Sequence, residues 1–196
     1  MIAGLVLAAG ESSRMGSDKA TLTYRGRSFL ESIVEALEAA GIGRIAVVLG
    51  HHAAEIERQV RRGPAQVVVN PDYRLGQTSS LQAGLRGLMA EDLEAVILCL
   101  VDHPAVSHQT LCRLVAAFRH SAAPLVIPTY QGRRGHPVLM GRQIFLELLG
   151  LEREAGADSV VRKYRAATEF IEVEDEGVVL DVDDPESYRR LTSEPR

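Results

Sequence analysis

Five stretches carry residues whose types and spacing could handle a phosphate compound. The first, LAAGESSRMGSDK (7–19), opens on small residues and closes on a lysine. Leu7, Ala8, Ala9 and Gly10 let a ligand approach the backbone, and Gly10 and Gly16 permit angles that other residues resist. Successive N–H groups in such a turn form an anion-binding concavity. Arg14 adds a planar fork for phosphate oxygens and Lys19 a point charge. The competing reading is a solvated loop whose two cations face water. This is not a P-loop, because no G-K-[ST] follows the glycines, and it lacks the G-x-G-x-x-G of dinucleotide binding.

The second stretch, NPDYRLGQTSSLQAGL (70–85), starts with a turn signal and runs through Gly76 to Ser79 and Ser80, near an expected helix start. Either serine could simply cap that helix. Read functionally, Asn70, Gly76, Gln77 and Ser80 line a pocket whose backbone groups, amide and hydroxyl can read the edge of a base. The third, LVDHPAV (100–106), places Asp102 at the end of an apolar strand. A carboxylate there is costly without a partner, and a divalent cation such as Mg²⁺ is a good one. Capping of the next helix falls better to Ser107. The fourth, LDVDDPESY (180–188), has Asp181 and Asp183 two apart, hence on one face of a strand. Either could complete a metal site opposite Asp102, while Asp184 reads as a helix cap. The fifth, GRRGHPVLMGR (132–142), sets Arg134, Gly135, His136 and Pro137 in a glycine-rich turn. Its arginines either attract an anion or are solvated.

Positioning these residues requires a regular frame. Strands are expected at 2–8, 44–50, 65–70, 95–101 and 124–128, and helices at 28–41, 52–62, 79–91 and 107–120. The first helix ends on a glycine suited to a C-cap, whereas Gly84 and Gly87 count against the third. After Pro128 the rhythm breaks into a turn and a short extended piece. Helices at 143–150 and 158–166 follow, then strands at 168–173 and 177–184. A helix at 185–191 with proline at its first position closes the chain, and only the last few residues read as frayed. This β-α-β-α rhythm implies an α/β fold: one Rossmann-like domain over 1–196, three-layer α/β/α, with a mostly parallel sheet. In such a sheet ligands bind beyond the C-terminal strand ends, where the first three stretches fall.

Composition narrows the classes. A chain of 196 residues can bury a core without staples. Its net charge of −4 argues against a nucleic-acid partner, so any phosphate site must be local. Cys99 and Cys112 fit no metal or disulfide pattern, and Cys99 reads as a buried small hydrophobe. There is no basic run before the first apolar stretch and no stretch of membrane-spanning length. The expectation is a soluble cytoplasmic protein with no membrane partner.

The opening loop closely resembles the nucleotidyltransferase pattern L-A-[AG]-G-x-x-x-R-M-G-x-x-K. Joined to Ser80-Leu81…Gly84-Leu85, LVDHP, GHP and LDVDDPE, it resembles the MobA-like nucleotidyltransferases, most of all those that transfer cytidylyl groups to the molybdenum cofactor. The resemblance runs from Leu5 to Tyr188. It implies a nucleotide-diphospho-sugar-transferase-like fold, with Arg14, Lys19 and Asp102 as catalytic residues. Arg14 and Lys19 would neutralise an NTP triphosphate. Asp102 and Asp183, or Asp181 in its place, would hold Mg²⁺ between the α-phosphate and the acceptor. Arg134 to Pro137 would lie near the acceptor. Ala9, where guanylyl-transferring relatives carry glycine, favours CTP. The implied partners are CTP, molybdopterin carrying molybdenum, and a molybdenum hydroxylase receiving the product. AGADSVVRKY (155–164) departs from the G-D-x-G-A-R of close relatives, which bears on the acceptor. The alternatives are a GTP-using guanylyltransferase, transfer to another small phosphorylated acceptor, and a non-enzymatic cofactor carrier.

Overall fold

The computed structural model describes residues 1–61, 63–121, 123–152 and 156–193. In chain order the elements are β1 (Ile2–Ala8), β2 (Thr23–Tyr24), β3 (Arg27–Ser28), α1 (Phe29–Ala39), β4 (Ile45–Leu49), α2 (Ala53–Gln59), β5 (Gln66–Val69), α3 (Gln77–Leu88), β6 (Ala95–Leu100), α4 (His108–His120), β7 (Leu125–Tyr130), β8 (Arg133–Arg134), β9 (Val138–Gly141), α5 (Arg142–Leu149), α6 (Asp158–Lys163), β10 (Thr168–Glu172) and α7 (Pro185–Ser193). Ala155, Arg62 at the end of the expected second helix, and 194–196 lie outside the described residues.

The main sheet runs β10-β7-β9-β6-β1-β4-β5, with β8 hairpinned onto β7. All its neighbours along that order are parallel except β9, which is antiparallel to both β6 and β7. The chain steps from β1 outward to β4 and β5, then returns to lay β6 on the other side of β1. The ends of β1 and β6 therefore flank a topological switch point.

Strand β1 is buried along its whole length. Its period of two sends Val6 and Ala8 toward Leu30, Ile33 and Leu37 of α1 and Leu111 of α4. Leu5 and Leu7 face the other way, toward Leu81 and Leu85 of α3 and Phe145 of α5. Two helical layers thus clamp one sheet, which is why its strands read as continuous apolar runs. Helix α1 starts on a reciprocal capping box between Ser28 and Glu31. Ser107 caps α4, its hydroxyl accepting the Thr110 N–H at 3.3 Å.

Two expectations are corrected. Helix α3 begins at Gln77, so Ser79 and Ser80 fall in its first turn and Gly76 holds the cap position. Its glycines reflect packing: a Cβ at Gly84 would overlap Leu5 and Val48, so only glycine lets the helix lie this close to the sheet. Residues 177–184 are not a strand. They form a single 3₁₀ turn, Glu176–Val179, and then irregular chain into α7. Their backbone groups are taken by loops: the His136 N–H donates to the Val178 carbonyl at 2.8 Å and the Val182 N–H to the Asp102 carbonyl at 2.9 Å. Asp181 and Asp183 consequently share no strand face. Asp184 does cap α7, accepting the Ser187 N–H at 2.8 Å. Cys99 is buried, which pushes its thiol up to about 12. Among the described residues no helix is long and apolar enough to cross a membrane.

Candidate active site

A cleft of about 360 Å³ opens at the switch point, within the size range of small-molecule sites. The ends of β1 and β6 form its floor through Leu7, Ala8, Ala9 and Leu100. The opening loop folds over it by backbone hydrogen bonds from Met15 and Gly16 to the Ser12 carbonyl. Gly16 takes a left-handed φ of 72°; the second left-handed residue of the loop is Ser12, at 49°, rather than Gly10. The Ser12 hydroxyl accepts the Lys19 N–H at 3.2 Å, which fixes where the lysine leaves the loop.

The charged residues meet here. Lys19 Nζ donates to Asp183 Oδ1 at 2.7 Å and to Asp102 Oδ2 at 3.3 Å. Arg14 donates to Asp183 Oδ2 at 2.8 Å. The Lys19 side chain is only 12% exposed and that of Arg14 is 72% exposed, so the lysine pairs are the less screened of the two. The Lys19 ammonium, then the Arg14 guanidinium, hold the Asp183 carboxyl below its ordinary range. Asp102 Oδ1 is buried and accepts no hydrogen bond from the described residues; His103 Nε2 stands 3.9 Å away. An orphaned carboxylate oxygen beside a second carboxylate is a hard-oxygen donor set that suits a divalent cation.

A third apolar cluster brings the C-terminal segment here. Met15 of the loop, Phe29, Val182 and Leu191 pack together, and the Tyr188 ring meets Phe29 edge-on at 5.9 Å. The Tyr188 hydroxyl donates to the Thr23 carbonyl at 2.8 Å. These contacts seat Asp183 against Lys19, whereas Asp181 is exposed and does not line the cleft.

Gly76, Gln77 and Ser80 form another wall. Asn70 stands behind it, buried, donating to the Ser79 and Ser80 hydroxyls at 3.0 Å each and accepting the Asp72 N–H. Asp18 and Tyr73 also line the cleft, although nothing in spacing or composition singled them out. Glu11 and Arg74 also join the two loops by an ion pair of 3.0 Å across 63 residues, which lowers the glutamate's pKa.

The GHP turn does not reach the cleft. His136 and Pro137 line a small inner cavity with His103 and Cys99, and the two histidine rings lie 5.3 Å apart. Arg134 is exposed, its guanidinium over the Phe170 ring at 4.8 Å.

Residues 4–168 match the family of the MobA-like NTP transferase domain. The chain is 31% identical over 202 residues to nicotine blue oxidoreductase of Paenarthrobacter nicotinovorans, covering 97% of this chain and 96% of that one. It is 26% identical to molybdenum cofactor cytidylyltransferase of Escherichia coli, covering 94% and 92%. Among solved structures, Rv0371c of Mycobacterium tuberculosis superposes with a TM-score of 0.87 at 31% identity, over 98% of this chain and 97% of that one. A structure of Rv0371c in complex with manganese superposes at 0.82 and 28% identity, over 99% of both.

Proposed function

The chain belongs to the MobA-like NTP transferase family, and from that premise we propose that it joins CMP from CTP to the terminal phosphate of molybdopterin bearing molybdenum, releasing pyrophosphate. The observation that carries this reading is the meeting of Lys19, Arg14, Asp102 and Asp183 at one switch-point cleft. An oxygen of the acceptor phosphate attacks the α-phosphorus of CTP in line. A new P–O–P linkage forms, and the bond from the α-phosphorus to the pyrophosphate oxygen breaks. No protein nucleophile is needed, since a phosphate monoester is already ionised at neutral pH. Arg14 and Lys19 bind the triphosphate and stabilise charge that moves onto the leaving group. Asp102 and Asp183 would hold Mg²⁺, which when bound supplies charge neutralisation on the reacting phosphates. The orphaned Asp102 oxygen and the manganese complex of a relative support a divalent ion. Gly76, Gln77 and Ser80 face the base, with Asn70 holding the serines. Arg134 stays open to an anionic acceptor, while His136 and Pro137 support the Asp102–His103 turn from behind. Catalysis then rests on positioning and charge.

The test is product mass spectrometry with each NTP, Mg²⁺ and molybdenum cofactor, beside a pyrophosphate assay. A cytidylylated cofactor supports the reading. A guanylylated product, or pyrophosphate release only with another phosphorylated acceptor, replaces the substrate but keeps the reaction. A second reading, an oxidoreductase, is favoured by the 31% identity to nicotine blue oxidoreductase. The missing G-x-G-x-x-G after β1 weighs against it. Oxidation of reduced nicotinamide cofactor with nicotine blue, without pyrophosphate release from any NTP, would establish it.

A further inference from the structure

A second group of metal-ligating side chains sits at the neighbouring strand end. Asp18, His51 and His52 each offer one ligand atom, and these atoms lie within 4.8 Å of one another. The backbone brings them there. After β4 the chain passes so close to the loops that a Cβ at Gly50 would fall 2.6 Å from Tyr73 Cβ and 2.7 Å from the Ala9 carbonyl. The His51 N–H donates to that same carbonyl at 3.3 Å, tying the histidine pair to the end of β1. His52 then takes a left-handed φ of 50°, uncommon without a glycine, and α2 starts on its carbonyl.

The side chains converge as a result. The His51 and His52 rings lie 3.7 Å apart at 36°, and His52 Nδ1 is 3.1 Å from Asp18 Oδ2. A His52–Asp18 ion pair alone would not call for His51. Yet His51 is held in place too, its Nδ1 3.2 Å from the Tyr73 hydroxyl. A partner on one ring nitrogen is how metal-binding imidazoles are oriented. When Nδ1 carries the proton, Nε2 keeps its lone pair.

We propose that Asp18, His51 and His52 form a second cation site, for a transition-metal dication of the zinc, cobalt or manganese class. Two imidazoles and one carboxylate suit those metals, whereas Mg²⁺ prefers all-oxygen sets such as Asp102 with Asp183. Asp18 also lines the main cleft, so the ion would border it. With three protein ligands, the remaining positions go to water or to an oxygen of whatever the cleft holds. Metal binding at this site does not rest on the nucleotidyl-transfer reading.

The test uses untagged, chelator-stripped full-length protein without nucleotide. Co²⁺ is titrated by visible absorbance, and Zn²⁺ is then used to displace it. With excess Mg²⁺ present to occupy Asp102 and Asp183, one equivalent should bind, on the order of tenfold or more weaker in H51A, H52A and D18N and unaffected in the D102N/D183N double variant. Circular dichroism checks that each variant is folded, and H52Q repeats the test with a polar side chain of similar size. Wild-type affinity in the three variants, displacement by Mg²⁺, loss only in D102N/D183N, or no Co²⁺ or Zn²⁺ binding by the wild type would each overturn the proposal.

Discussion

Lys19 Nζ lies 2.7 Å from Asp183 Oδ1, an ion pair that spans 164 residues of chain and places a lysine ammonium between two carboxylates. The ammonium neutralises the same charges that a divalent cation would. In the free protein the two would compete. K19M should therefore tighten Mg²⁺ binding by about tenfold, the scale of one lost charged hydrogen bond, while weakening CTP. Calorimetry with metal alone and then with CTP reads both. Unchanged metal affinity in K19M would show that the cation is held elsewhere.

Asp102 carries a sharper expectation, because its second oxygen has no donor among the described residues. D102N keeps the shape and removes the charge. Pyrophosphate release at saturating Mg²⁺ should fall by on the order of 10²–10³, the usual scale for losing one electrostatic group at a reacting centre. Near-normal turnover would defeat the metal assignment.

Chelation follows from the same pair of carboxylates. Removing divalent metal should stop pyrophosphate release, and Mg²⁺ or Mn²⁺ should restore it in the wild type but not in D102N. Full activity in excess chelator would rule out a metal-dependent transfer.

Ala9 is buried and lines the cleft floor. On the proposed reading its methyl takes room that a purine would need. A9G should shift the GTP-to-CTP ratio of kcat/KM toward GTP by roughly tenfold, the scale set by one methyl-sized contact. Competing both nucleotides in one assay measures this. A wild type that prefers GTP would refute the role of the methyl.

Burial, then the neighbouring His103, lowers the His136 pKa to about 4 from an ordinary 6.5. The imidazole is neutral in the fold, and the unfolded chain takes up its proton more readily. The associated stability is fully present above about pH 6.5 and is lost as pH falls toward about 4. Urea midpoints between those pH values should fall less steeply for H136N than for the wild type. Parallel curves would exclude the histidine as the source.

Helix α3 should tolerate no larger residue where it crosses β1 and β4. G84A would force Leu5 and Val48 aside and lower stability by about 1–3 kcal/mol. Denaturant unfolding gives the value directly. An unchanged midpoint would mean the helix can shift outward.

By itself the sequence determined what local physics controls. Continuous β-branched apolar runs marked β1, β4 and β6, Ser107 marked the start of α4, and the order of these elements implied the parallel sheet and its ligand-binding edge. Arg14, Lys19 and Asp102 were legible because small residues, cations and a strand-end carboxylate are unusual neighbours there. Tertiary structure alone decided the rest. It turned residues 177–184 from an expected strand into irregular chain, because their N–H and C=O groups find loop partners that no window of sequence contains. It chose Asp183 over Asp181 to face Lys19, through the packing of Val182, Tyr188 and Leu191 on the opening loop. It also withdrew the GHP turn from the cleft and set Asp18 beside His51 and His52. Such meetings depend on through-space distance between remote segments, and chain spacing carries no record of it.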